Sequence, residues 1–307
     1  MKSKISLLFI VWVTCLKLNA QTAFDMKKEF PSPGFDPSPN VAQLQPIKHE
    51  KILAAFTYIS TKSKAQFNYP QGGCPERAVV IHYLLDSLKI PNFRIWVFAP
   101  SKLLESSKEK IYITDKNKLT TDDNNRIEWD YHVAPCVLSS NGTASPDTLV
   151  IDPSINSKKP LKVKDWLSLI NNSKQSKYCF LDGKYYQFNT KENGASNVIN
   201  GYLYPYEGGA YDNLWVEKMM ALNETAYTMY LKYVKNKDNS SQKVKDIKAV
   251  IGNSATLKEV LEYKDGLPAA SKIRYITTNY PDFASDMWAL YSKSFSAWAK
   301  RMKTLKA

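Results

Sequence analysis

The sequence predicts an α+β protein in which two helices precede a group of strands and an all-helical region follows them. Three observations predict this order. Apolar residues recur at helical spacing before residue 90, and β-branched and aromatic runs bounded by turn formers occupy much of residues 93–188. Helical spacing then returns from about Asp212 to the end of the chain. Helices followed by a block of strands are typical of an α+β domain.

The amino terminus has the pattern of a secretion signal. Lys2 and Lys4 precede an apolar run at residues 5–15, and the small residue Ala20 suits a cleavage site. The run is shorter than the roughly 20 residues of a membrane-spanning helix, and we expect no stable membrane insertion. Residues 1–20 are therefore predicted to be a cleaved signal peptide, and the mature protein is predicted to be secreted or periplasmic.

The rest of the chain divides into a linker and two domains. Residues 21–46 contain five prolines, which oppose regular structure and predict an extended linker. The mixed helix and strand pattern predicts a first domain at residues 47–205. The helical pattern predicts a second domain at residues 206–307.

Two helices open the first domain. The spacing of Ile52, Phe56 and Ile59 predicts one helix. A second helix is predicted to begin at Cys74, directly after two glycines, and to end before Pro91. Its apolar stripe consists of Ala78, Ile81, Leu85 and Leu88.

Strands follow these helices. Residues 93–99, 127–138 and 148–152 are rich in the β-branched and aromatic side chains that favour strands. The dipeptide Asp182-Gly183 separates two further runs of this kind, at residues 178–181 and 184–188, which predicts a two-residue β-hairpin.

The last helix carries a narrow apolar stripe. Its members are Trp288, Tyr291, Phe295, Trp298, Met302 and Leu305. We expect this stripe to pack inside the protein itself, and the alternative is a helix that binds a partner or inhibits the first domain.

Charge and rare residues exclude several classes of protein. The formal net charge of +13 arises from lysines and arginines that are spread evenly and interleaved with acids. Nucleic-acid binding needs a concentrated basic patch with aromatic platforms, so we expect no nucleic-acid partner. The four cysteines and three histidines lack metal-ligand spacing, and no glycine-rich phosphate loop is present, so no cofactor is predicted.

Cys74 is the first candidate for a catalytic role. At the start of a helix, free backbone amides and the positive end of the helix dipole favour a thiolate over a thiol. The alternative is a buried cysteine without chemical function.

His132 and Asp152 complete a candidate triad. His132 is the one histidine within a strand-like segment, and Asp152 ends an apolar strand 20 residues later, which is the length of a hairpin. An acid beside the imidazole would orient it and stabilise its protonated form. A cysteine, a histidine and an aspartate in this order, on a helix and two strands, resemble papain-like and transglutaminase-like folds.

Three sequence blocks resemble the secreted bacterial protein-glutaminases. They are residues 67–78, residues 129–134 and residues 151–154. The resemblance implies a core related to transglutaminases and an enzyme that deamidates glutamine side chains in proteins. It also implies that Cys74 is the nucleophile, His132 the base and Asp152 the group that orients the base. The helical region after Asp212 and a polar insert at residues 101–126 have no counterpart in that resemblance.

The predicted function is therefore that of a secreted cysteine amidohydrolase that acts on protein-bound glutamine through a thioester. Its partners would be proteins or peptides that carry glutamine. The alternatives are a cysteine peptidase or a transglutaminase with the same triad, or an exported binding protein without catalysis. Cys136 and Cys179 form a disulfide or remain two buried thiols.

Overall fold

The computed structural model describes residues 22–23, 38–120, 124–140, 142, 145–171, 176–183, 185–190, 199–205, 214–262 and 270–306. The predicted signal peptide and most of the predicted linker lie outside the described residues, so both stay predictions. No helix among the described residues is both long enough and apolar enough to cross a membrane.

The described elements follow the predicted order. The helices are α1 His49–Lys62, α2 Cys74–Ser87, α3 Pro100–Leu103, α4 Val163–Leu169, α5 Trp215–Tyr233, α6 Gln242–Ile251, α7 Ser254–Leu261, α8 Ala270–Asn279 and α9 Pro281–Lys306. The strands are β1 Thr22–Ala23, β2 Ile47–Lys48, β3 Phe93–Phe98, β4 Ile111–Thr114, β5 Arg126–Trp129, β6 Tyr131–Ser140, β7 Asp147–Val150, β8 Leu161–Lys162, β9 Lys177–Asp182, β10 Tyr185–Thr190 and β11 Ile199–Pro205. The predicted α+β class, with helices alone among the described residues from 214 onward, is confirmed.

The main sheet has the strand order β1-β9-β3-β6-β7-β8, with β2 beside β6. Strand β3 pairs antiparallel with β6 and β9, and β6 pairs antiparallel with β7. All six residues of β3 are buried, so both faces of the sheet are covered. On one face, Cys74 and Ala78 of α2 pack against Trp96 and Val133 of the sheet. The prediction that the Cys74 helix packs on an antiparallel sheet is thus confirmed.

Two strand predictions are wrong in detail. The predicted strand 127–138 is two strands in different sheets, because β5 pairs with β4 while β6 joins the main sheet, with Asp130 between them. The predicted hairpin at Asp182-Gly183 is absent from the pairing of the described strands, because β9 pairs with β3 and β1 while β10 pairs with β11. The turn signal is local in the sequence, but the strand partners are set by burial across the sheet.

The possible disulfide between Cys136 and Cys179 is not formed, and the three cysteines among the described residues are free. Cys136 on β6 is opposite Phe93, and Cys179 on β9 is opposite Trp96, so β3 lies between the two cysteines. Strands two places apart are about 10 Å from each other, which exceeds the roughly 7 Å that a disulfide spans. Both thiols are buried in the core instead.

The apolar stripe of the last helix packs inside the protein. Trp298 and Met302 are buried in a core that they share with Ile52 of α1 and Val80 of α2. Helix α9 also packs along α5. The preferred interpretation of the stripe is confirmed, and the last helix shares a core with α1 and α2.

Candidate active site

The structure brings the three predicted site residues together. Cys74, His132 and Asp152 all line one cavity of about 10 Å³ between α2 and the sheet. The hairpin of β6 and β7 positions the last two, because the backbone N–H of Ile151 donates to the carbonyl of Pro135 at 2.8 Å. This register places Asp152 on the same face of the sheet as His132, two residues along.

His132 is held by Asp152 and by two indole rings. Its Nε2 lies 2.8 Å from Oδ2 of Asp152. An ionised carboxylate only accepts, so Nε2 carries the proton and Nδ1 is the basic atom. The ring stacks between Trp129 and Trp166, with centroid distances of 4.5 and 5.6 Å. Nδ1 is buried and has no hydrogen-bond partner among the described residues, which leaves it available to accept a proton.

Asp152 accepts hydrogen bonds on both carboxylate oxygens. Nε1 of Trp166 donates to Oδ2 at 3.0 Å, and the backbone N–H of Ser154 donates to Oδ1 at 3.1 Å. The hydroxyl of Ser154 also donates to Oδ1. Burial by itself would raise the pKa of Asp152, but the charge of His132 and these hydrogen bonds outweigh it and lower the pKa. The carboxylate therefore stays ionised and keeps the proton of His132 on Nε2.

Cys74 differs from its predicted state. Burial raises the pKa of Cys74 to about 12, the charge of Arg77 partly opposes this effect, and the charge of Glu76 adds to it. The thiol donates weakly to the carbonyl of Tyr131, at 3.9 Å. The expected low-pKa thiolate at the helix start is thus wrong, because loss of water outweighs the helix dipole. A base must take the proton of Cys74 before the sulfur can attack.

Comparisons with known proteins point to one kind of enzyme. The glutaminase family matches residues 48–170, a segment that contains all three sequence blocks. This segment, the glutaminase region, is similar to that family. The match confirms the resemblance inferred from the sequence and identifies the region as a hydrolase of carboxamide C–N bonds.

Solved structures give more distant similarities. The NMR structure of protein-glutaminase from Chryseobacterium proteolyticum is 17% identical, with a TM-score of 0.39, over 61% of this chain and 89% of that chain. The crystal structure of pro-protein-glutaminase is 17% identical, with a TM-score of 0.40, over 69% of this chain and 66% of that chain. No curated protein matches the chain significantly.

A cleft of about 580 Å³ opens beside Cys74, between the glutaminase region and the helical region. Residues 71–76 and 126–131 form one side of the cleft, and Trp215, Met219 and residues 248–249 and 252–255 form the other. Cys74 is itself 6% exposed, and it lines this cleft as well as the small cavity of the triad. Sequence reasoning missed this second wall, because no local pattern connects it to Cys74.

Two glycines allow the helical region to approach the nucleophile. Gly73 has φ +77°, and a Cβ there would lie 2.6 Å from Nδ2 of Asn223 and 2.8 Å from Cγ of Met219. A Cβ on Gly72 would lie 2.3 Å from Oγ of Ser254. Nδ2 of Asn223 also donates to the carbonyl of Gly72 at 3.3 Å. The turn before Cys74 is therefore held from outside by α5 and the start of α7.

Arg77 is a further site residue that the sequence did not single out. It is 3% exposed and lines the small cavity with the triad. Its Nη1 donates to the carbonyls of Tyr69 at 3.2 Å and Gly72 at 2.6 Å. Its position three residues after Cys74, on the same face of a helix, was the available signal. Arg77 fixes the turn and brings a positive charge near the sulfur.

The described residues offer no ready metal site. Within the part of the chain that the structure describes, no group of three or more histidine, cysteine, aspartate or glutamate side chains could hold a metal ion.

Proposed function

We propose that this chain is an exported cysteine amidohydrolase that converts protein-bound glutamine to glutamate and releases ammonia. Cys74 is the nucleophile, His132 the general base and acid, and Asp152 the group that orients His132. One observation carries the proposal: Cys74 and a His132 bonded to Asp152 line a single cavity inside the region that matches the glutaminase family. The cleft at this site has a volume of about 580 Å³, which lies within the range of roughly 300–1,000 Å³ typical of ligand pockets.

The first half of the reaction forms a thioester. Nδ1 of His132 takes the proton of Cys74, and the sulfur attacks the carboxamide carbon. The backbone N–H of Cys74, at the first residue of α2, stabilises the oxyanion. The protonated His132 then donates its proton to the amide nitrogen, the C–N bond breaks, and ammonia leaves.

The second half of the reaction releases the product. Nδ1 of His132 takes a proton from water, and the hydroxide attacks the thioester carbon. Collapse of the tetrahedral intermediate breaks the C–S bond, and the thiolate regains its proton from His132. Glutamate replaces glutamine in the substrate, and the enzyme returns to its resting state.

The test is incubation of the protein with a glutamine-containing protein substrate, followed by assay of ammonia and intact mass. Hydrolysis replaces NH₂ by OH, so we expect ammonia and a mass gain of about one dalton per site without chain cleavage. Cys74→Ala removes the nucleophile and should abolish both signals. Cys136→Ala, at a buried thiol outside the site, is the matched control and should retain them.

Other outcomes would identify the alternatives. New amino termini in the substrate would indicate a cysteine peptidase. Incorporation of an added amine in place of water would indicate a transglutaminase, because the thioester intermediate is the same. Full ammonia release by Cys74→Ala would contradict the triad assignment, and no reaction of any kind would favour a binding protein.

Export is the remaining part of the proposal, and it rests on the amino-terminal pattern of residues 1–20. Expression of the full chain in a bacterial host should give a mature protein that begins near residue 21 outside the cytoplasm. Retention of residues 1–20 in the purified protein would contradict it.

A further inference from the structure

Two buried oxygen acceptors in the cleft wall lack a donor among the described residues. Oε2 of Glu76 is buried without a hydrogen-bond partner, and the whole side chain is only 8% exposed. Oε1 of Gln71 is also buried without a partner. Nε2 of Gln71 faces a carboxylate oxygen of Asp115 at 3.5 Å, which orients the amide and leaves Oε1 as the free end. Both residues line the cleft beside Cys74.

These acceptors are unfavourable in the free protein. A buried acceptor without a donor destabilises the folded protein, and it does so more strongly when it is charged. Glu76 also raises the pKa of Cys74, so it opposes formation of the thiolate. Glu76 therefore lowers the stability of the free protein and opposes activation of the nucleophile. A role in substrate binding explains its presence, because the substrate would supply the missing hydrogen-bond donor.

The backbone N–H of Glu76 donates to its own carboxyl group, but Oε2 has no donor among the described residues. Outside α2, the charge of Lys258 on α7 lowers the pKa of Glu76. Its side chain is 54% exposed and pairs with Glu262 at 3.9 Å. Arg77, which follows Glu76, directs Nη1 to Tyr69 and Gly72 instead.

The chemistry of the acceptors matches one part of the proposed substrate. The nitrogen of a carboxamide carries two hydrogens that can be donated. The carbonyl oxygen of the same group accepts from the backbone N–H of Cys74 during attack. We infer that Glu76 and Gln71 bind the carboxamide nitrogen of glutamine, each accepting one of its hydrogens, and thereby select an amide over an ester or acid of the same shape. This inference rests on the proposed function and adds two specificity-determining residues to it.

The test compares two blocked peptides that differ in one group. The first contains a single glutamine, and the second has the γ-methyl ester of glutamate at the same position. Both pass through the same thioester and give the same product, but the ester has no hydrogen on its leaving atom. For Glu76→Ala, we expect kcat/KM for the amide to fall about 10- to 100-fold and that for the ester to fall less than about 3-fold.

Two variants separate the hydrogen bond from general damage. Glu76→Gln keeps the size and one acceptor oxygen, so its amide kcat/KM should lie between those of the wild type and Glu76→Ala. Gln71→Leu should also lower the amide-to-ester ratio. Glu105→Gln makes the same charge change at an exposed position outside the cleft, and it should leave the ratio unchanged.

The outcomes distinguish this inference from the proposed function. Equal losses on the amide and the ester in folded Glu76→Ala and Glu76→Gln would overturn the inference while the proposed function stands. Turnover of neither peptide by the wild type would overturn both. Thermal unfolding of each variant confirms that the compared proteins are folded.

Discussion

The two sides of the candidate site differ in how completely their polar atoms are paired. On the strand side, both oxygens of Asp152 accept hydrogen bonds, and His132 is stacked between two indole rings. On the helix side, Glu76 and Gln71 keep buried acceptors without donors among the described residues. Among the described residues, the strand side therefore leaves Nδ1 of His132 unpaired, which is the atom proposed to take a proton. The helix side leaves two acceptors unpaired, which are proposed to bind the substrate.

Among changes to the hydrogen bonds of the site, the greatest loss of activity should come from one on the strand side. Asp152→Asn replaces the ionised acceptor by a neutral amide, which no longer holds the proton of His132 on Nε2 or stabilises the imidazolium. We expect kcat for glutamine hydrolysis to fall about 10³-fold or more. Asp165→Asn, at an exposed position on α4, is the control and should retain activity. Comparable kcat values for the two variants would show that Asp152 has no part in the reaction.

The second prediction tests how much stability the protein loses by burying Glu76 on the helix side. Burial raises the pKa of Glu76 from 4.5 to about 7 in the folded protein, although its own backbone N–H and the charges of Arg77 and Lys258 oppose this. The unfolded chain therefore ionises first as pH rises, and the folded state loses stability between about pH 4.5 and 7. Glu76→Gln removes this loss and should raise the free energy of unfolding at pH 8 by about 3 kcal/mol.

Urea unfolding of the wild type and Glu76→Gln at pH 4, 6 and 8 measures this effect. The gain should be absent at pH 4 and complete at pH 8. The same difference at every pH would show that burial of the charge is not its source. Glu128→Gln, whose side chain is exposed, should give no gain at any of the three values.

The third prediction concerns the contact between the helical region and the turn before Cys74. Gly73→Ala places a Cβ against Asn223 and Met219 at a residue with φ +77°. Gly142 has a similar φ of +82°, but a Cβ there would have no described atom beyond its chain neighbours within 4 Å, so Gly142→Ala isolates the backbone cost. We expect Gly73→Ala to lose about 2 kcal/mol more of unfolding free energy than Gly142→Ala. Equal losses in urea unfolding would mean that the helical region does not press on this turn.

The smallest expected effect on stability and kcat comes from another change on the strand side. Trp166→Phe keeps an aromatic ring beside His132 and removes the N–H that donates to Asp152. Because His132 and Ser154 still donate, we expect a loss of about 1 kcal/mol in stability and about 10-fold in kcat. The pKa of Asp152 should rise, which a pH profile of kcat/KM measures. An unchanged profile and kcat would show that this hydrogen bond has no effect on the base.

Local sequence patterns predicted the helices and strands better than the contacts between them. The helix that begins at Cys74 follows from a 3.6-residue spacing, and the strand that contains His132 follows from a run of β-forming residues. Both patterns lie within short segments of the sequence. The stacking of Trp166 on His132 and the wall formed by Met219 depend on chain segments that meet only after folding. The prediction of a hairpin at Asp182-Gly183 is wrong for the same reason, because its two strands pair with other strands after folding.

The chemical state of the site was also hidden in the sequence. The helix start at Cys74 indicated a thiolate, but its pKa depends on how much water the surrounding chain removes, which no short segment encodes. The unpaired oxygen of Glu76 could not be predicted either, because an acid in the first turn of a helix is an ordinary helix-stabilising residue.

One long-range contact bears on how the protein is made. The hydroxyl of Tyr69, buried just before the nucleophile turn, donates to the carbonyl of Ile251 at 2.7 Å. The ribosome delivers Tyr69 about 180 residues before this acceptor, at roughly 5–20 residues per second. A nascent chain therefore spends on the order of ten seconds or more with its nucleophile turn unsupported. The turn before Cys74 gains this support only after residue 251 has been synthesised.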